Sequence, residues 1–112
     1  MDKFIEKLKN SKKLIIVEGP KDKKALEQLG IKNIITLKKP LFSVVEEVAL
    51  KTKECIILTD LDPTGKRLYS TLSRDLKKHG VKVDKSFREY LFKETKLRQI
   101  EGITSYLKKL NQ

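Results

Sequence analysis

The sequence predicts an α/β protein with a Rossmann-like three-layer α/β/α sandwich around a mainly parallel four-stranded sheet. Two observations predict it. Short apolar segments alternate with longer segments of helical periodicity, in the order β-α-β-α-β-α-β, which is typical of strands joined by right-handed crossovers. The first and third strand segments are also apolar at consecutive positions, which indicates strands that helices cover on both faces.

The first strand is predicted over Leu14–Val17, where all four residues are apolar. A helix is predicted over residues 20–29, because Gly19 can serve as its N-cap, Pro20 suits the first helical position and Gly30 is a typical helix end. The apolar residues of this segment then lie on one face of the helix, toward the sheet.

The second strand is predicted over residues 33–37, Asn-Ile-Ile-Thr-Leu, in which three of the five residues are apolar. A basic loop follows, and a helix is predicted over residues 42–51. Val44, Val45 and Val48 recur with helical spacing and are expected to face the core.

The third strand is predicted over residues 54–59 and a helix over residues 66–79, in which leucines recur every four residues. Two lysines and Gly80 end that helix, since cations favour the last turn and glycine the position just after it. Cys55 opens the strand and is expected to be a small buried hydrophobe.

The fourth strand is predicted over residues 81–87, followed by a short helix over residues 88–94 and another from residue 103 to residue 110. A chain of 112 residues fits one domain. We therefore expect a single domain over residues 1–112, with a core at about 13–87 and a C-terminal helical extension at about 88–112.

The charge balance favours a polyanionic partner. Lys and Arg number 26 against 15 Asp and Glu, which gives a net charge of +11, and such charge attracts nucleic acid. A lysine-rich solvated surface explains the same balance equally well. No apolar run approaches the roughly 20 residues of a bilayer span, so no membrane partner is expected. One cysteine and no signal sequence in the first 13 residues predict a cytoplasmic setting.

Acidic residues follow the first and third predicted strands. Glu18 and Asp22 follow the first, and Asp60 and Asp62 follow the third. The carboxyl ends of parallel strands meet at one edge of the sheet, where α/β proteins bind ligands. Clustered carboxylates repel one another unless a cation neutralises them, and hard oxygen ligands suit Mg²⁺, or alternatively Mn²⁺. Glu18, Asp60 and Asp62 are therefore candidate metal ligands and catalytic residues, with Asp22 in support.

Each acid also has a simpler interpretation. Asp62 before Pro63 is a typical helix N-cap, Asp60 can be a turn residue, and Glu18 a solvated strand end. The same edge carries candidate contacts to phosphate groups. These are Gly65, which allows close backbone approach, and the cations Lys21, Lys38, Lys39, Lys66 and Arg67.

Other motifs match the segment from Asp60 to Gly65 less well. A calcium EF-hand loop would need an acid where Thr71 stands, and a helix rather than a strand before it. The Asp-x-Asp pattern also resembles the nucleophile motif of haloacid-dehalogenase phosphatases, in which the first Asp forms an aspartyl phosphate. Those enzymes carry the motif on their first strand, with further motifs well downstream.

Residues 14–22, LIIVEGPKD, and residues 57–68, ILTDLDPTGKRL, together resemble the Toprim domain. This domain is shared by topoisomerases, bacterial primases and several nucleases. The overall form is similar to small stand-alone Toprim proteins, to the N-terminal part of the 5S ribosomal RNA maturation nuclease and to the primase Toprim core. The resemblance covers residues 13–87. It implies a Rossmann-like fold and magnesium-dependent chemistry on nucleic-acid phosphodiesters, with Glu18 as general acid or base and Asp60 and Asp62 as metal ligands.

Three functions follow as hypotheses. The first is a magnesium-dependent phosphodiester-transfer domain, a nuclease acting on RNA or DNA. The second is a non-catalytic module that binds nucleic acid or nucleotide within a larger assembly, with a protein partner that selects the substrate. The third is aspartyl-phosphate chemistry on Asp60. The aromatic residues Phe4, Phe87 and Phe92 are expected to pack in the interior rather than to stack on bases.

Overall fold

The computed structural model describes residues 1–111; Gln112, the last residue of the predicted C-terminal extension, lies outside the described residues. The described chain contains six α-helices, four strands and one 3₁₀ turn. The strands are β1 (Leu14–Val17), β2 (Ile34–Thr36), β3 (Glu54–Ile57) and β4 (Lys82–Val83). The helices are α1 (Asp2–Ser11), α2 (Pro20–Gln28), α3 (Leu41–Lys51), α4 (Pro63–Lys78), α5 (Ser86–Glu94) and α6 (Ile103–Leu110), with the 3₁₀ turn at Ile100–Gly102.

The four strands form one parallel sheet in the order β2-β1-β3-β4. Ile16 of β1 lies level with Ile35 of β2 and with Ile57 of β3. The predicted α/β fold is therefore confirmed, with β1 and β3 side by side at the centre. Ligands of such sheets bind beyond the carboxyl ends of the strands, so the ends of β1 and β3 are the place to look for a site.

Both faces of the sheet are buried. Ile15 and Val17 of β1 belong to a core shared with α1, α2, α5 and α6, whereas Leu14 and Ile16 belong to a second core shared with α3 and α4. Successive side chains of a strand point to opposite faces, and this is why the four apolar residues of β1 serve two cores. Cys55 is fully buried, and that burial raises the pKa of its thiol to about 11, as expected of a core residue.

β4 is shorter than predicted. Its pairing ends at Val83, because the Asp84 carboxylate accepts hydrogen bonds from the Ser86 backbone N–H at 3.1 Å and from the Ser86 hydroxyl at 2.6 Å. This Asx-type turn redirects the chain into α5. The prediction of a strand as far as residue 87 was wrong at these positions, and α5 begins two residues earlier than expected.

Further elements differ from the sequence expectation, among them β3, which ends at Ile57 rather than at residue 59. α4 begins at Pro63 rather than Lys66, because Asp62 caps the helix. α1 was not predicted at all, although Phe4 and Leu8 lie one turn apart and are both buried. Within residues 1–111, no helix combines the length and the apolar character needed to cross a bilayer.

Candidate active site

Glu18 and Asp60 meet across the two central strands. Glu18 directly follows β1, and Asp60 lies just beyond the end of β3. The Glu18 Oε2 atom accepts a hydrogen bond of 2.6 Å from the Asp60 backbone N–H. Two residues that are 42 positions apart in sequence are thus joined directly, as expected from strands whose carboxyl ends share one edge.

The loop after β3 is folded tightly around Gly65. A Cβ atom added at Gly65 would overlap the backbone carbonyl group of Asp60 and would lie 2.8 Å from its nitrogen. The buried Thr59 hydroxyl donates a hydrogen bond of 2.7 Å to the Gly65 carbonyl oxygen. Gly65 therefore has a structural reason to lack a side chain: the first turn of α4 rests on the backbone that carries Asp60.

Asp62 is the N-cap of α4. Its Oδ1 atom accepts a hydrogen bond of 2.7 Å from the Gly65 backbone N–H, and Pro63 occupies the first turn. The N-cap interpretation of this residue is confirmed. A cap uses one carboxylate oxygen, so the Oδ2 atom is the one we consider for a ligand.

Asp22 lies in the first turn of α2 and is only 6% exposed. Its Oδ2 atom accepts a hydrogen bond of 3.0 Å from the Gly19 backbone N–H. This bond closes the turn between Glu18 and α2. Asp22 therefore supports the local backbone on the β1 side as Asp62 does on the β3 side.

The acids of the site perturb one another. Burial raises the pKa of Glu18, and the charges of Asp60, Asp62 and Asp22 raise it further, against the effect of the Asp60 N–H. Burial likewise raises the pKa values of Asp60 and Asp22. Among the described residues, no Lys, Arg or His nitrogen lies within 4.0 Å of any of these four carboxylates. The cluster is thus without a direct ion pair, and the charge of Arg88 interacts favourably with Glu18 and Asp60 from a greater distance.

The C-terminal segment builds part of the site, which the sequence did not indicate. Arg88 of α5 donates a hydrogen bond of 2.8 Å from Nη2 to the Asp60 carbonyl oxygen. The Ile100 backbone N–H donates to Asp60 Oδ1 at 2.9 Å, and the Leu61 N–H donates to the Arg98 carbonyl oxygen at 2.7 Å. The loop after β3 is therefore held on its outer side by residues from beyond the predicted core.

Arg88 and Glu101 are the site residues that sequence reasoning missed. The Arg88 guanidinium also lies 4.5 Å from the centre of the Tyr69 ring, and the negative charge of Glu101 raises the pKa values of Asp22 and Asp60. Arginine is rare in this chain, with 4 of the 26 cationic residues. Arginine suits buried hydrogen bonds better than lysine does, so an arginine in a lysine-rich chain is a candidate for a specific contact. This is the one sequence signal for Arg88. We find no such signal for Glu101.

The predicted phosphate contacts are exposed side chains. Lys21, Lys38 and Lys66 are exposed, as are Lys39 and Arg67. The Lys39 ammonium is paired with Glu47 at 3.2 Å, and Arg67 donates a hydrogen bond of 3.3 Å to the Thr64 hydroxyl. The role of these cations stays a prediction.

The chemistry of the donor set fits a divalent metal ion. Glu18, Asp60 and Asp62 each give one oxygen to a backbone N–H, and the second oxygen of each is a hard ligand. Within residues 1–111, no three Asp, Glu, His or Cys side chains converge closely enough to hold a metal by themselves. Mg²⁺ is usually bound by one or two carboxylates together with water and substrate phosphate, so the fit is to an ion shared with substrate.

Comparison with known proteins agrees with this architecture. A UPF0292 protein of Methanocaldococcus jannaschii is 36% identical over 108 residues, which cover 92% of this chain and 84% of that protein. A UPF0292 protein of Pyrococcus abyssi is 40% identical over 101 residues, covering 89% of this chain and 76% of that protein. The solved structure of a putative protein from Aquifex aeolicus superposes with a TM-score of 0.84 at 36% identity, covering 90% of this chain and 95% of that one.

The family assignment follows from the central part of the chain. Residues 12–86 match the Toprim domain, and this range contains both strand ends and all four acids described above. Toprim domains generally bind divalent metal ions and act on nucleic acid. This chain belongs to the Toprim domain family.

Proposed function

We propose that this chain is a magnesium-dependent nuclease, with Mn²⁺ as an alternative ion, that cleaves phosphodiester bonds of RNA or DNA. One observation carries the proposal. Four carboxylates lie at the ends of β1 and β3 with no Lys, Arg or His nitrogen of the described residues within 4.0 Å, although the chain has a net charge of +11. Repulsion among these carboxylates lowers the stability of the fold, and a bound cation offsets that repulsion.

Asp60 and Asp62 are the proposed metal ligands. Each carboxylate is held by one backbone N–H, to Ile100 and to Gly65 respectively, so its second oxygen is oriented before an ion arrives. A bound divalent ion would stabilise the negative charge that develops on the phosphate during cleavage. Asp22 and Gly65 support these ligands through the turn after β1 and the close packing on Asp60.

Glu18 is the proposed general acid or base. Its Oε2 atom is fixed by the Asp60 N–H, and we assign the proton transfer to Oε1. Burial and the neighbouring acids raise the pKa of Glu18, which brings it closer to neutrality than that of an ordinary glutamate. A carboxyl group with a raised pKa exchanges a proton more effectively with an attacking or leaving oxygen.

The exposed cations around the site are the proposed contacts to the nucleic-acid backbone. Lys21, Lys66 and Arg67 flank the acids in sequence, and Lys38 and Lys39 follow β2 at the same edge of the sheet. Cationic side chains bind phosphates without regard to sequence. A protein partner that selects the substrate is compatible with this arrangement and stays part of the proposal.

A nuclease panel tests the proposal. Labelled single- and double-stranded RNA and DNA are incubated with the chain in Mg²⁺ or Mn²⁺, beside Asp60→Asn. The matched control is Asp75→Asn, an acid of α4 that contacts Arg74 instead of the site. We expect cleavage by the chain and by Asp75→Asn, and none by Asp60→Asn. Salt-dependent binding without cleavage of any substrate would support the non-catalytic module and reject the nuclease.

A further inference from the structure

Resting on the proposed function, we propose that the C-terminal segment forms a subsite for single-stranded nucleic acid beside the acidic cluster. An unpaired base stacks on Phe92, and the adjoining phosphates bind Lys66 and Arg98. The sequence motifs do not distinguish single-stranded from double-stranded substrates. The subsite favours a single strand.

Phe92 is exposed where the sequence pattern led us to expect packing. It is 43% exposed on α5, whereas Phe4 is 5% exposed in the core. Phe4 stacks on Tyr90 with ring centres 4.9 Å apart and meets the edge of Phe87 at 5.7 Å. Two of the three phenylalanines considered thus pack with aromatic neighbours. Phe92 is the one that presents its ring to solvent.

Two cations lie over the Phe92 ring. The Lys66 Nζ atom is 5.0 Å from the ring centre and the Arg98 guanidinium carbon is 5.7 Å from it. Base stacking on an aromatic ring is stronger than an exposed cation–π contact. An arriving base can therefore take the place of the flexible Lys66 side chain, which is then free to bind a phosphate of the same strand.

The Phe92 ring is connected to the loop that carries Asp60 and Asp62 through neighbouring residues on α4, on α5 and in the segment after α5. Lys66 lies four residues after Asp62 in the first turn of α4. The Arg98 carbonyl oxygen accepts the Leu61 N–H, and Arg88, on the same helix as Phe92, binds the Asp60 carbonyl oxygen. A base on Phe92 would place its phosphate next to the loop that carries Asp60 and Asp62.

A cavity of about 220 Å³ opens between α4 and α5 beside the ring. Its lining residues are Tyr69, Lys85, Arg88, Glu89, Phe92 and Lys93. The Nε atom of Arg88 is buried and makes no hydrogen bond to any described residue. The cationic side chains of Lys85, Arg88 and Lys93 in this lining suit a phosphate group of the substrate.

The combination of an exposed ring with cations favours a single strand over a duplex. Bases within a duplex are stacked on each other and do not offer a face to a side chain, whereas aromatic and cationic side chains together bind single strands. Lys85 and Lys93, which line the cavity, favour a polyanion over an apolar protein segment as its occupant.

Fluorescence anisotropy with labelled oligo(dT) and oligo(U) of about 12 nucleotides, and with a duplex of the same length, tests the subsite. The measurements are made with chelator present, so that binding is read without cleavage. The variants are Phe92→Ala and Phe92→Tyr, and the matched control is Phe42→Ala, which removes a ring that is 66% exposed on α3. Circular dichroism establishes that each variant is folded.

We expect Phe92→Ala to weaken single-strand binding by about fivefold to a hundredfold, with the salt dependence unchanged. Phe92→Tyr should retain binding, and Phe42→Ala should bind as the unaltered chain does. Lys66→Gln should reduce the slope of log affinity against log salt by about 0.7. Equal effects of Phe92→Ala and Phe42→Ala, equal losses for strand and duplex, or no binding of single strands by the unaltered chain would overturn the subsite.

The outcomes separate this inference from the proposed nuclease. Strand binding that depends on Phe92, without cleavage of any substrate in Mg²⁺ or Mn²⁺, would support the subsite and reject the nuclease. Metal-dependent cleavage that is lost in Asp60→Asn, combined with strand binding indifferent to Phe92, would do the reverse.

Discussion

Two groups of acids in this chain have opposite surroundings. Glu54, at the start of β3, and Asp84, after β4, share the ammonium of Lys13 at 3.4 Å and 2.8 Å. Glu18 and Asp60, at the other end of the central strands, are joined by the hydrogen bond from the Asp60 N–H to the Glu18 carboxylate, and among the described residues no Lys, Arg or His nitrogen lies within 4.0 Å of either carboxylate.

The pKa values differ in the same sense. Although burial acts to raise it, the hydrogen bonds from Lys13 and Ser86 lower the pKa of Asp84 below its ordinary value. Burial raises the pKa values of Glu18 and Asp60, and the charges of other nearby acids raise them further. A chain with 26 cationic residues pairs one group of acids and leaves the other unpaired. The contrast supports the proposal that the second group takes a ligand from outside the chain.

The largest difference between the two groups should appear in activity. Glu18→Gln keeps an oxygen to accept the Asp60 N–H but removes the proposed proton exchange. We expect cleavage to fall by about 10²- to 10⁴-fold. Glu54→Gln, the same change in the paired group, should leave the rate within about twofold, far below the effect of general acid–base catalysis. Initial rates on the best substrate of the nuclease panel measure both, and equal losses would remove the distinction between the groups.

The next largest effect concerns the backbone beneath the unpaired acids. Gly65→Ala should destabilise the chain by about 1–3 kcal/mol, because the new Cβ overlaps rigid backbone at Asp60. Gly102→Ala is the control, since its Cβ would meet only the Leu97 side chain at an ordinary 3.7 Å. Urea denaturation gives both values. A Gly65→Ala variant as stable as Gly102→Ala would contradict the close approach.

Arg88 offers a smaller perturbation of the same loop. Arg88→Met keeps much of the side-chain bulk but leaves the Asp60 carbonyl without its 2.8 Å hydrogen bond. We expect a loss of about 1–2 kcal/mol in the free energy of unfolding. Arg74→Met removes an exposed arginine of α4 and should change stability by less than about 0.5 kcal/mol. Denaturation curves of Arg88→Met and Arg74→Met give both free energies of unfolding. Equal values would show that Arg88 does not support the site.

The smallest effect is expected at the paired group. Lys13→Met should cost about 0–1 kcal/mol, because the ion pairs are partly exposed. Asp84 has a lowered pKa in the folded chain, so it stabilises above its ordinary pKa of 3.8 and this contribution is lost as the pH falls. The difference between Lys13→Met and the unaltered chain should therefore be present at neutral pH and shrink in acid. A difference that grows as the pH falls from neutrality would contradict this pairing.

The sequence contained enough to predict the sheet and the acids that end its strands. Consecutive apolar residues in β1 and β3 predicted burial on both faces, and both cores confirm it. The Asp62-Pro63 pair allowed for the N-cap that the structure shows. These features are local, so they can be read from neighbouring residues.

The parts that were missed depend on contacts between distant residues. The Ile100 N–H and the Arg88 side chain reach Asp60 across 40 and 28 positions, and no local pattern encodes such a contact. The exposure of Phe92 was also missed, because the position of this residue in the apolar pattern of α5 is as compatible with a buried side chain as with an exposed one. The early end of β4 depends on the hydrogen bond from the Ser86 N–H to the Asp84 carboxylate. The alternation of apolar residues in this segment predicted a longer strand.

The pH dependence of the unpaired group has the opposite sign from that of Asp84. An acid with a raised pKa in the folded chain binds its proton more readily there than in the unfolded chain. The metal-free chain therefore gains stability as the pH falls from neutrality through the raised pKa values of Glu18, Asp22 and Asp60 toward their ordinary values of 4.5 for Glu and 3.8 for Asp. Removing one of these charges should remove part of that dependence.

The midpoint of thermal unfolding of the unaltered chain and of Asp60→Asn, measured at neutral pH with and without Mn²⁺, tests the central claim most directly. Without metal we expect Asp60→Asn to melt at the higher temperature, because its amide oxygen still accepts the Ile100 N–H and one repelling charge is gone. With Mn²⁺ the unfolding midpoint of the unaltered chain should rise, and that of Asp60→Asn should not. An Asp60→Asn variant that melts lower without metal, or an equal rise of both proteins in Mn²⁺, would contradict the account.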